Sequence, residues 1–150
     1  MKTKEVCNAL TLGIRDYFRK NNFKRAVIGL SGGIDSSVAA YLAVKAIGKK
    51  NVTGILMPDL KVTSRENIND ALEIAKKLGI RHLVVPINEA ARYFENINRG
   101  FRIKYNDYAI ANAKARTRMM VLYYFANLEN ALVIGTSDKS EIALGYTTKY

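Results

Sequence analysis

The chain has one cysteine, Cys7, and one histidine, His82, in 150 residues. One thiol excludes an intrachain disulfide and a thiolate metal cluster, and it fits a reducing, intracellular setting. The histidine lies in a strand-like apolar run and reads as packing, because a histidine base needs partners that the sequence does not supply. No stretch approaches the roughly 18 apolar residues of a membrane span. The N-terminus MKTKEVCNALTLGI has neither an uninterrupted apolar core nor a small-residue cleavage site, so a soluble, cytoplasmic protein with no membrane partner is expected. Repeats, low-complexity tracts and Pro/Gly/Ser linkers are also missing. Residues 1–150 therefore read as a single domain, of a size that buries about two-thirds of its unfolded surface. Acid is scarce as well: 13 Asp+Glu against 24 Lys+Arg leave a net charge of +11, which favours anionic partners. The cations are dispersed in ones and twos, as in Lys49-Lys50 and Lys76-Lys77, and no nucleic-acid partner is expected from such a pattern.

Four nearly continuous apolar runs are present, at 25–30, 52–57, 82–87 and 131–135. Their character predicts strands buried on both faces. Helical patterns lie between them. Ile34, Val38, Tyr41 and Leu42 recur at three- and four-residue spacing over 34–47, and Thr63-x-x-Glu66 reads as a capping box opening a helix over 64–78 that stops at Gly79. A long helix is predicted over about 107–127, a short one over 89–98, and an amphipathic segment with Val6, Leu10, Ile14 and Tyr17 precedes the first strand. Strands alternating with helices predict an α/β fold, a Rossmann-like open parallel sheet with helices on both faces.

The turn after the first strand reads Gly29-Leu30-Ser31-Gly32-Gly33-Ile34-Asp35-Ser36-Ser37. In an open parallel sheet such a turn lies where ligands bind and leads into a helix N-terminus. Gly32 and Gly33 allow positive φ and close approach of backbone N–H groups to an anion, and the helix adds its positive end. Ser31, Ser36 and Ser37 offer hydroxyls to phosphate oxygens. A carboxylate at Asp35 would repel bound phosphate unless a cation such as Mg²⁺ stood between them. The sequence is neither GxxxxGK[ST] nor GxGxxG, so both commoner glycine loops are excluded.

SGGIDSS resembles the pyrophosphate loop of the N-type ATP pyrophosphatases, which cleave ATP to AMP and pyrophosphate while adenylating an oxygen. Two further stretches, Lys114-Ala-Arg116-Thr-Arg118-Met119 and Gly135-Thr-Ser-Asp-Lys-Ser-Glu141 through Gly145-Tyr-Thr-Thr-Lys149-Tyr150, are similar to NAD synthetase in the same order. The resemblance spans essentially the whole chain. It implies an adenine nucleotide alpha hydrolase-like fold and the ATP-dependent amidation of deamido-NAD⁺ to NAD⁺ by ammonia, through an acyl-adenylate. It implies that residues 29–37 and Thr136 bind ATP, that Arg116 and Lys149 bind deamido-NAD⁺, that Asp35 and Glu141 share Mg²⁺, and that the protein is a homodimer, with the long helix a candidate interface. No catalytic acid or base is assigned, because adenylation needs no nucleophilic side chain.

The residues themselves leave several roles open. On a helix, Lys114 and Arg118 are one turn apart and Arg116 is rotated from them by about 200°. The three cannot serve one ligand, and Lys114 and Arg118 are expected to support packing or to be solvated, with Met119, Met120 and Tyr123 as core on the structural alternative. Glu141 is either a metal ligand or a helix-start acid, and Met57 either an adenine contact or core. A tRNA-modifying pyrophosphatase would share the loop but predicts an appended basic domain or cysteine pairs. The family pattern continues past Tyr150 with further glycine, lysine, threonine and histidine contacts, so the chain is expected to be a C-terminally incomplete domain. Because no glutaminase domain is visible, free ammonia or a separate partner would supply the nitrogen.

Overall fold

A computed structural model describes residues 2–101, 104 and 106–145. The chain runs α1 (Thr3–Lys20), β1 (Arg25–Gly29), α2 (Ile34–Ile47), a 3-10 turn (Lys49–Asn51), β2 (Val52–Leu56), α3 (Arg65–Leu78), β3 (Arg81–Val84), α4 (Asn88–Gly100), α5 (Asp107–Glu129), β4 (Ala131–Ile134) and α6 (Lys139–Leu144). The strands form one parallel sheet in the order β3-β2-β1-β4. The predicted architecture is therefore observed.

Pleating divides the core in two. Ala26, Ile28, Val52 and Leu56 face one side, where they pack with Phe18 of α1, Ala40 and Ala43 of α2, and Ala71 and Ala75 of α3. Val27 and Ile55 face the other, against Leu122 and Ala126 of α5 and Ile87 ahead of α4. Successive side chains of a strand point to opposite faces, and a strand that is apolar at every position needs both faces covered. This holds for β1 and β2. It fails for β3 and β4, which are only partly buried because the strand order leaves them at the sheet edges.

Two helices bury a different face from the one their bulky residues suggest. In α2 the buried positions are Ser36, Ala40, Ala43 and Ala46, whereas Ile34, Val38 and Tyr41 are exposed. Small side chains let α2 lie close to both the sheet and α1, and the helix is apolar nearly all round, so its pattern could not select a face. In α1, Thr11 and Phe18 are buried and Leu10 and Tyr17 are exposed. The cap of α3 is Ser64, whose Oγ accepts from the Asn67 N–H at 3.1 Å. The predicted cap, Thr63, instead accepts the Asp59 N–H at 3.0 Å. Gly79 ends α3 with φ 65°, as expected. His82 lies in β3, half-buried, with Nδ1 3.3 Å from the Ile80 carbonyl.

The strand order reverses between β1 and β4. Chain leaving β1 enters α2 on one face, whereas β4 is reached through α4 and α5 on the other, so the loops at the carboxyl ends of β1 and β4 diverge and open a crevice. Ile28 pairs with Ile134, so Leu30 and Thr136, each two residues further along the chain, leave the sheet at that edge.

Candidate functional site

The crevice is a cavity of about 660 Å³, within the range of small-ligand sites. Its walls include Gly29 at the end of β1, Leu30 and Ser31 after it, Met57 and Pro58 after β2, Asn67 and Ala71 of α3, Arg118 and Leu122 of α5, and Gly135, Thr136 and Ser137 after β4. The sequence-predicted residues Gly29, Leu30, Ser31 and Thr136 thus share one cavity. Met57 lines it as well, while packing into the core.

The turn is shaped by its own hydroxyls. Ser36 Oγ donates to the Gly33 carbonyl at 3.0 Å, and Ser37 Oγ donates to the same oxygen at 2.8 Å. Ser31 and Gly33 N–H groups donate to Ser36 Oγ and Ser31 Oγ at 3.3 and 3.2 Å. Ser31 Oγ and Ser36 Oγ are 3.1 Å apart. These serines therefore fold the loop, and donation to a ligand requires their hydroxyls to turn. Only Gly32 has positive φ, at 87°; Gly33 is at −80°, so the expectation of positive φ at both holds for one. A side chain on Gly32 would overlap the main-chain carbonyl of Asn67 in the first turn of α3. The first N–H of α2 to find an intrahelical partner is that of Ser37, bonded to the Gly33 carbonyl at 3.2 Å, which leaves the N–H groups of Ile34, Asp35 and Ser36 as the helix's outward donors.

Asp35 is exposed, and its carboxylate makes no hydrogen bond or ion pair with the described residues. Glu141 is in a capping box: its N–H donates to Asp138 Oδ1 at 2.7 Å, and its Oε2 accepts the Asp138 N–H at 3.3 Å. Both alternatives for Glu141 survive, since Oε1 stays uncommitted among the described residues. Neither carboxylate lines the cavity. Two oxygen-only donors with spare capacity fit a hard cation that takes few protein carboxylates plus phosphate and water. Arg116 is exposed on α5, and Lys149 lies outside the described residues.

A buried acid just behind the cavity-lining Met57 and Pro58 was not apparent from the sequence. Asp59, 2 % exposed, follows β2. Its Oδ1 accepts from the Lys61 N–H at 3.1 Å and from Asn88 Nδ2 at 3.0 Å. Lys114 Nζ lies 2.7 Å from Oδ2, off the direction of a well-aligned hydrogen bond. Arg118 Nε donates to the Met57 carbonyl at 3.1 Å. Lys114 and Arg118 thus turn inward and fasten residues 57–59 to α5, so of the two expectations for them, packing and solvation, the first holds. Met119 is half-buried, but Met120 and Tyr123 are exposed and not core. Burial alone would raise the Asp59 pKa, yet Lys114, the Lys61 N–H and the charge of Arg118 outweigh it and hold the carboxyl below the usual range. Signals were present: a rare acid directly after a buried strand, and two cations one helical turn apart. Sequence alone could not join them.

A parallel sheet covered on both faces, with a glycine-serine turn and helix N-terminus at its switch point, defines an α/β protein of the doubly wound, open-sheet class. Comparison narrows the class. The family model described as NAD synthase matches residues 6–150, and the chain belongs to that family. It is 47 % identical over 148 residues to a glutamine-dependent NAD(+) synthetase of Aquifex aeolicus, covering 98 % of this chain and 26 % of the relative. It is 47 % identical over 137 residues to an NH(3)-dependent NAD(+) synthetase of Staphylothermus marinus, covering 91 % and 49 %. Among solved structures, a glutamine-dependent NAD+ synthetase from Acinetobacter baumannii in complex with ADP matches with a TM-score of 0.94 at 33 % identity, over all of this chain and 28 % of that one. The chain spans about half or less of the length of these relatives.

Proposed function

We propose that this chain is the ATP-handling part of an enzyme that amidates deamido-NAD⁺ to NAD⁺, with ammonia as nitrogen donor, and that residues 1–150 act as one domain in the cytoplasm. The observation that carries the reading is the cavity at the switch point, where Gly29–Ser31 and Thr136 meet on adjacent strand ends. The family relationship and the ADP held by the Acinetobacter relative support it.

Carboxylate is a poor electrophile, and adenylation gives it a leaving group. A nicotinate carboxylate oxygen attacks the α-phosphorus of ATP, the α–β phosphoanhydride bond breaks, and pyrophosphate departs. Ammonia then adds to the acyl carbon, the C–O bond to AMP breaks, and the amide remains after loss of a proton. The protein contributes alignment and fixed charge. The turn 29–37 grips the β- and γ-phosphates through backbone N–H groups and the α2 N-terminus, and Thr136 contacts the nucleotide from the β4 side. Arg116 and Lys149 bind deamido-NAD⁺. Asp35 and Glu141 would hold Mg²⁺, which when bound offsets phosphate charge. The exposed side of α5, with Met120, Tyr124 and Leu128, supports a homodimer contact there.

Pyrophosphate release from ATP, assayed with Mg²⁺, ammonia and deamido-NAD⁺, tests the reading. Release should depend on deamido-NAD⁺ and fall at least 100-fold in Asp35→Asn, whose exposed site leaves folding unchanged. Release indifferent to deamido-NAD⁺ or to the substitution refutes it. ATP binding without turnover would make the chain the nucleotide-binding part alone.

A further inference from the structure

The charges where α5 meets residues 57–59, beside the cavity, do not cancel. Lys114 and Asp59 neutralise each other at 2.7 Å, with side chains 19 % and 3 % exposed. One turn further along, Arg118 lines the cavity and is half-buried. Its Nε–H is committed to the Met57 carbonyl, whereas Nη1 and Nη2 form no hydrogen bond or ion pair with the described residues. Burial lowers its pKa, and the only opposing influence is the charge of Asp59, which already serves Lys114. A guanidinium is permanently charged, so it cannot relieve this desolvation by losing its proton. The wall therefore keeps one positive charge that lacks an acid among the described residues, and a partly desolvated cation of that kind is satisfied by an anion from outside.

We infer that Arg118 contacts a phosphoryl oxygen of the bound nucleotide through its Nη donors, with Asp59 and Lys114 acting as positioning residues. The inference rests on the nucleotide reading of the cavity. Chemistry selects phosphate over the base or the ribose, since a charge-assisted bond to an anionic oxygen is roughly twice as strong as a neutral one and the planar fork matches it. Anchoring Nε fixes the guanidinium plane, so little freedom is lost when the remaining donors engage. Asp59 sets this anchor indirectly. It holds the Lys61 N–H, Asn88 and Lys114, and so keeps the Met57 carbonyl beneath Arg118.

NMR titrations of the chain with AMP and with adenosine, which read dissociation constants into the millimolar range, test this in wild type, Arg118→Gln and Arg118→Lys. Loss of the contact should weaken AMP binding about 10- to 100-fold in Arg118→Gln and leave adenosine binding unchanged. Arg118→Lys keeps the charge without the fork and should recover part of the AMP affinity. It also carries the test should Arg118→Gln fail to give a folded spectrum. AMP and adenosine weakening in parallel, or neither weakening, overturns the assignment, because a wall residue with a purely structural role cannot distinguish them. A wild-type chain that binds neither compound refutes the nucleotide reading itself, and this inference with it.

Discussion

Gly32→Ala and Gly33→Ala place the same methyl group on neighbouring residues of one turn, and the structure assigns them different costs. At Gly32, φ is 87°, a conformation that costs an L-residue roughly 1–2 kcal/mol. The methyl would also overlap the main-chain carbonyl of Asn67, which belongs to the first turn of α3 and cannot swing aside as a side chain does. Relieving such overpacking costs about 1–3 kcal/mol more. At Gly33, φ is −80° and the nearest atom to an added Cβ is Ser31 Oγ at 3.3 Å, on a side chain that can rotate. Replacing glycine there narrows the unfolded ensemble by about 0.4–1 kcal/mol, and this is offset by the poorer performance of alanine at an N-cap. The expected result is a loss of about 2–5 kcal/mol for Gly32→Ala and a change within about 1 kcal/mol for Gly33→Ala. Urea unfolding monitored by circular dichroism, with equal slopes for the variants, measures the difference. Equal midpoints would show that the turn does not depend on the close approach of Gly32 to α3.

Asp59→Asn should cost about 2–4 kcal/mol at pH 7, because it strands Lys114 against a neutral amide with little solvent to compensate. The pH dependence follows from the depressed pKa of Asp59. Its stabilisation is complete above the unfolded-state value of about 3.9 and is lost as pH falls through the lower folded-state value. Denaturant titrations from pH 7 to pH 2 should therefore show a drop in the wild type that is smaller in Asp59→Asn, and parallel curves would exclude this residue as its source. At the opposite end of the sheet, Glu129 accepts from Thr53 Oγ1 at 3.0 Å and pairs with Arg81 at 2.6 Å. Glu129→Ala should lose about 1–2 kcal/mol of stability, since the Arg81 partner is well exposed, and should leave AMP binding unchanged. A weakened AMP titration would break the separation between the two sheet edges.

Some of this was legible in the sequence because it is local. The span of α2 followed from the three- and four-residue spacing of its apolar residues over 34–47, and the end of α3 from Gly79. The buried centre of the sheet followed from the nearly continuous apolar character of VTGIL in β2. Burial orientation was less accessible. In α2 every face is apolar, and the choice fell to Ser36, Ala40, Ala43 and Ala46 because close approach, not hydrophobicity, decided it. Edge position is likewise invisible in β4, whose composition ALVI matches that of a central strand.

The site divides along the same line. A turn is a local object, and SGGIDSS announced its geometry through residue types that few other structures require. The Asp59 clamp is not local: it joins residues from the end of β2, the start of α4 and the middle of α5, and each is ordinary on its own. The KAR-x-R spacing showed that Lys114 and Arg118 share a side of α5 opposite to Arg116, but not which side meets the sheet. The covering of Val27 and Ile55 by Leu122 decides this, because Leu122 is one turn beyond Arg118 on the same side. Core packing thus carries both cations to the cavity. The apolar residue that buries α5 against the sheet also sets which arginine reaches the cavity wall, so Leu122 couples the stability of the fold to the charge of the site.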